Sequence, residues 1–188
     1  GLHPMFIEQH QPQDLSELDQ LVSQVQPVAI GEIGLDFYRS NTHSVINPDK
    51  QLAFFDKQLM IAKHHDLPVI IHNRKAHDPC LSLLAETGLR GGIIHAFNGS
   101  IQQAKHYIDL GFLLGFGGML TFTRSSKLRD LVRQLPLQSI VLETDAPDMT
   151  VAAHRGERNS PAYLHYVRDA VAEIKHVSAD EVARVTTS

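Results

Sequence analysis

The chain has 188 residues, 43% of them hydrophobic and 20% charged, which is the composition of an ordinary globular protein with room for one sizeable core. Its formal net charge of −4 argues against a protein that grips long nucleic acid through a basic groove, but leaves open contacts to a few phosphates through bound cations. Cys80 is the only cysteine, so no intrachain disulfide can form. The most apolar run, Gly111 to Phe122, is too short and too broken by glycine to span a bilayer. A cytoplasmic setting is expected, with no membrane association and no obligate protein partner.

In chain order, the first β-rich run is Val28 to Ile33, within the stretch GEIGLDFY (31–38), where Glu32 interrupts apolar residues and Asp36 follows. A carboxylate in a sheet needs an arginine, a hydrogen-bond network or a metal to offset its desolvation. A helix is predicted over Pro48–His65, with Asn47 as cap, Pro48 in the first turn and Asp49 favoured by the helix dipole. The pattern then alternates. Strands are predicted at Pro68–His72, Gly92–Phe97, Phe112–Phe116 and Ser139–Thr144, and helices at Lys75–Glu86, Ser100–Leu110 and Ser125–Leu135, with Gly88 and Gly111 closing two of the helices. Two further helices follow, one running from Ser160-Pro161 to about Lys175 and one starting at Ser178.

Such βα alternation implies a parallel sheet covered on both faces, either doubly wound or closed into a barrel. Four strands are expected to carry a metal-capable residue at the C-terminal end: Glu32, His72, His95 and Asp145. In a closed barrel those tips converge on one point, which favours the barrel. Strand parity places Ile70 with His72, Ile93 with His95, and Val141 and Glu143 with Asp145 on the inner face. Val69, Ile71, Ile94, Ile140 and Leu142 then face the outer helices. A lone histidine at a strand end is usually structural, but imidazoles and carboxylates gathered at one mouth suit Zn²⁺, Mn²⁺ or a similar divalent ion.

The motifs GLHP (1–4), GEIGLDFY (31–38), LPVIIHNRKAHD (67–78), GIIHAFNGS (92–100) and LETDAPDM (142–149) together resemble the TatD-related metal-dependent hydrolases, deoxyribonucleases with an amidohydrolase-type (β/α)₈ TIM barrel. The resemblance implies a single such domain over residues 1–188, with two divalent ions (Mg, Mn or Zn). Glu32 would bridge them, His72 and His95 would ligate one, and Asp145 would bind the other while orienting or deprotonating the attacking water. Glu32 and Asp145 are thus the expected catalytic residues, DNA ends the expected partner, and His3 a residue that would hydrogen-bond substrate. The same fold also hosts hydrolases of small esters, lactones or amides, and a catalytically incompetent module is a third reading.

Other residues carry two readings each. Glu143 shares a face with Asp145 and is either an orienting group beside the site or a buried acid paired with a helix-side base. Arg74 either forks onto a phosphate or pairs with Asp78. Asn98-Gly99-Ser100 either presents Asn98 and backbone amides to phosphate or caps a helix. Gly115 to Gly118 lies at a common phosphate position in barrels, although glycines at a strand end more often serve a turn. His64 and His65 mark a helix end, while His77, His106, His165 and His176 read as surface residues. The family's opening His-x-His motif occurs nowhere in this sequence, and GLHP normally follows a third strand. The barrel is therefore expected to be truncated, lacking its first two strands and part of the third, and to be incomplete at the C-terminus too.

Overall fold

The computed structural model describes residues 1–38, 47–89 and 91–187. It is an α/β protein with parallel strands, arranged as two compact units: residues 1–95 with 109–112, and residues 96–108 with 113 onward.

The first unit opens with Gly1 alongside a strand, its amino group donating to the carbonyl of Gly31, followed by 3-10 turns over Pro4–Gln9. Next come helix α1 (Pro12–Val25), strand β1 (Ile30–Asp36), helix α2 (Pro48–His64), strand β2 (Val69–Arg74), helix α3 (His77–Thr87) and strand β3 (Gly92–Ile94). β1 pairs in parallel with β2 (Ile33 opposite Ile71, Gly34 opposite His72), and β2 with β3 (Ile71 opposite Ile94). The cap expected for α2 is present, with the Asn47 side chain accepting from the Lys50 amide and Pro48 in the first turn.

The sequence reading passed over α1. Gln11 and Asp14 form a capping box around Pro12, but Val22 is the only buried residue of this helix. With so little burial, Leu15, Leu18, Val22 and Val25 at helical spacing are the only signal. Strand β1 is also longer than expected. It runs to Asp36, so Glu32 lies inside the strand and not at its C-terminal end, next to a slip in the β1–β2 register between Ile30 and Ile33. Gly34 permits the close approach of β1 and β2: at φ 137° a Cβ there would lie 2.1 Å from the carbonyl oxygen of His72, so only glycine fits.

The second unit contains helix α4 (Ile101–Asp109), strand β4 (Leu113–Phe116), helix α5 (Ser126–Gln134), strand β5 (Ile140–Leu142), helix α6 (Leu164–Lys175) and helix α7 (Ala179–Thr186). β4 and β5 are parallel, with Leu114 opposite Ile140 and Phe116 opposite Leu142. Phe97 stacks edge-on against both Tyr107 and Phe116. The Lys175 ammonium closes the end of α5 by donating to the carbonyls of Arg133 and Leu135.

The alternation expected along the strands holds. Val69, Ile71, Ile94 and Ile140 are buried, whereas Ile70, His72, Ile93, His95, Val141, Glu143 and Asp145 are half-buried; Leu142 is half-buried too, against expectation. The helix-facing side is thus the dry core, while the opposite side gathers the polar residues. No helix among the described residues is long and apolar enough to cross a membrane.

Candidate metal centre

Glu32 is the hub of the polar side. Its Oε2 lies 2.9 Å from His3 Nε2 and 3.8 Å from His72 Nδ1, and its Oε1 lies 3.7 Å from His95 Nε2. The last two separations are too long for hydrogen bonds. They approach the spacing of about 3.4 Å that two ligands keep when both bind one tetrahedral ion at about 2.1 Å. His3, Glu32 and His72 each offer a ligand atom within 4.8 Å of the others. Imidazole nitrogens with a carboxylate are the donor set that Zn²⁺ or Mn²⁺ prefers, so the residues present fit a divalent ion.

The two carboxylates are held ionised. Donation from His3, with the charges of the neighbouring imidazoles, keeps the Glu32 carboxyl below its ordinary range although burial works against it. Burial pushes the Asp36 carboxyl up, but the His72 hydrogen bond, the Tyr38 amide and nearby Arg74 outweigh it, and the net direction is down. His3 is committed through both ring nitrogens. The Met5 amide donates to its Nδ1, which leaves Nε2 protonated to donate to Glu32.

The frame behind these side chains comes from α2, which packs on β1. Gln51 and Gln58, two turns apart and both buried, each clamp one backbone residue of the site. Gln51 accepts from the Asp36 amide and donates to the Asp36 carbonyl; Gln58 does the same for Leu2, the neighbour of His3. Sequence reasoning missed both glutamines and Asp36 as site residues. A buried amide on the apolar stripe of a helix was the available signal, since such a group must find partners.

The Arg74 guanidinium lies 3.7 Å over the ring of Tyr38, a contact neither sequence reading named, and both side chains are exposed. His77, expected on the surface, is buried. The Asn73 side chain bonds both the amide and the carbonyl of Ala76, folding the short β2–α3 connection so that the first turn of α3 tucks inward. His65 pairs with Asp19 of α1 at 2.7 Å, while His106, His165 and His176 are exposed as expected.

In the second unit, Glu143 Oε1 accepts from the amide of Ala96 at 2.8 Å, which fixes the backbone immediately after His95. Ala96 and Asp145 both adopt left-handed backbone, at φ 45° and 57°, a conformation that non-glycine residues hold only when their surroundings enforce it. Asp145 lies three residues beyond β5, in a loop held by Asn159, whose side-chain amide donates to the carbonyls of Thr144 and Asp148. Ser100 and Gln103 cap α4 reciprocally, so the segment after exposed Asn98 serves the helix start. Gly118 is a packing glycine, because a Cβ would lie 2.2 Å from the carbonyl of Met149.

A parallel α/β framework presenting histidines and an ionised glutamate on its polar side defines the class as a metal-dependent hydrolase. Residues 1–188 match the family described as TatD related DNase, and the chain belongs to that family. It is 40% identical over 187 residues to the uncharacterized metal-dependent hydrolase YjjV of Escherichia coli K12, covering 98% of this chain and 71% of that protein. It is 36% identical to YabD of Bacillus subtilis 168, another uncharacterized metal-dependent hydrolase, covering 100% and 72%. The crystal structure of the E. coli YjjV TatD homolog superposes with a TM-score of 0.91 at 39% identity, covering 100% of this chain and 72% of the other. A TatD family hydrolase from Entamoeba histolytica follows with a TM-score of 0.81 at 26% identity, covering 100% and 71%.

Proposed function

We propose that this protein is a two-metal phosphodiesterase that removes nucleotides from DNA ends, with a fold of the (β/α)₈ TIM-barrel type. The observation that carries the reading is the convergence of His72 and His95 on the Glu32 carboxylate, 3.8 and 3.7 Å from its oxygens, near the spacing of ligands that share an ion; Glu32 is then the ligand that would also reach a second ion. Membership of a family described as DNase supports the choice of substrate, and the net charge of −4 suits an enzyme that meets phosphate through metal and not through a basic groove.

In this reading Glu32, His72, His95 and Asp145 hold the ions. Bound divalent ions (Mg, Mn or Zn) supply Lewis-acid charge for the phosphoryl oxygens and a water of lowered pKa. His3 steadies Glu32 by donating its Nε2–H to the carboxylate. Arg74, stacked on Tyr38, offers a planar cation to a neighbouring phosphate, with Asn98 a further polar contact. Asp145 orients the attacking water and accepts its proton, while Glu143 fixes the backbone beside His95.

The test is hydrolysis of end-labelled and circular single-stranded DNA with Mn²⁺ or Mg²⁺, beside p-nitrophenyl esters and a lactone. Release of mononucleotides from linear DNA only, abolished by EDTA and by Glu32→Ala, is the expected result. Ester or lactone cleavage without DNA hydrolysis overturns the nuclease reading, and activity that survives EDTA overturns the metal reading.

A further inference from the structure

His72 faces Glu32 through Nδ1, and what its other nitrogen does decides whether that Nδ1 has a lone pair to give. Its Nε2 lies 3.0 Å from Oδ2 of Asp36. Asp36 has little freedom to do anything else. Its side chain is 8% exposed, its backbone amide and carbonyl are both clamped by Gln51, and its Oδ1 accepts from the Tyr38 amide at 2.9 Å. Only Oδ2 remains, and it points at the imidazole. An ionised carboxylate is acceptor-only, so the ring must carry its proton on Nε2.

We infer that Asp36 is a positioning residue that fixes His72 in the Nε2–H tautomer, with the Nδ1 lone pair turned toward Glu32 and a bound divalent ion. This rests on the metal reading of the Glu32 cluster. Histidine ligands depend on such partners both for ring orientation and for basicity. Burying a carboxylate inside a sheet is unfavourable unless it is paired, and here its pairing serves the neighbouring ligand. The fourth and sixth positions of GEIGLDFY are explained together: Gly34 admits the His72 backbone at close range, and Asp36 two residues on reaches its side chain.

Asp36→Asn tests this at nearly constant shape. The Tyr38 amide keeps the amide oxygen, so the amide nitrogen faces His72 Nε2 and two donors would meet. The ring escapes by moving its proton to Nδ1, where it blocks the lone pair aimed at Glu32. Mn²⁺ affinity, measured by calorimetry, should fall about 10- to 100-fold, while the melting temperature in EDTA stays within a few degrees. Ring ¹⁵N shifts of the metal-free protein at mildly alkaline pH, assigned with a His72→Gln variant, should show Nε2–H in the wild type and Nδ1–H in Asp36→Asn. The wild-type spectrum needs no variant to fold, and an Nδ1–H ring there overturns the inference. An Asp36→Asn protein that binds Mn²⁺ as tightly as wild type also overturns it. A wild type that binds no Mn²⁺ at all overturns the metal reading instead, while the nitrogen shifts still decide what Asp36 does to His72.

Discussion

Replacing Glu32 with glutamine removes one charge from the hub of the cluster while keeping its shape, and the consequence can be worked out through ligand linkage. A divalent ion that binds only the folded state stabilises it by about 2.7 kcal/mol when present at 100 times its Kd. For a chain of this length each kcal/mol moves the melting temperature by about 2–4 °C, so Mn²⁺ should raise the wild-type midpoint by about 5–11 °C over its value in EDTA. Without metal the substitution acts only on the hydrogen bond from His3, to which the amide oxygen still offers an acceptor. The Glu32 side chain is 29% exposed, so the loss is held to about 1 kcal/mol or less. Thermal melts of both proteins, in EDTA and across a Mn²⁺ titration, separate the two effects. The variant should melt within about 4 °C of wild type in EDTA and lose most of the Mn²⁺ shift. A glutamine variant that keeps the full shift refutes the view that Glu32 holds the ion.

Gly34→Ala places a methyl group 2.1 Å from the His72 carbonyl at a φ of 137°, and should destabilise by at least about 2 kcal/mol; a denaturant melt matching wild type would contradict the packing described for β1 and β2. Arg74→Lys keeps the charge but loses the plane stacked on Tyr38, so KM for an oligonucleotide should rise about tenfold with kcat little changed, and an unaltered KM would remove Arg74 from the binding surface. Asp36 has a folded-state pKa below its unfolded value, so its contribution is fully present above about pH 4 and is lost as pH falls through the folded value. In EDTA, the melting temperature of wild type should therefore drop more steeply below about pH 4 than that of Asp36→Asn, whereas parallel curves would show that Asp36 is not favourably paired.

Much of this protein is legible in its sequence, because the strongest signals are local. Among the described residues, alternating apolar runs and capped amphipathic segments placed the five strands and six of the seven helices, since backbone periodicity and terminal chemistry act over a few residues. The same periodicity separated Val69, Ile71 and Ile94 from Ile70, His72 and Ile93, and so identified the polar side of the sheet. Histidines and acids recurring near the ends of apolar runs named Glu32, His72 and His95 as candidates; the structure brings their side chains together, with Glu32 inside β1 and not at its tip.

Tertiary structure decided what depends on partners distant in the chain. The Asp36–His72 bond joins residues 36 apart, and Gln58 reaches back 56 residues to clamp Leu2; no local pattern encodes such pairs. Register was equally beyond local reading: the slip between Ile30 and Ile33 puts Glu32 inside β1 and leaves Asp36 at its tip. Arg74 was expected to meet a phosphate or Asp78, and its contact with Tyr38 was beyond local reading, because strand pairing sets Asp36 opposite Arg74 and brings the ends of β1 and β2 side by side. Composition and spacing determine which groups are available to the site, while strand register and long-range hydrogen bonds determine which atom of each group faces the metal position.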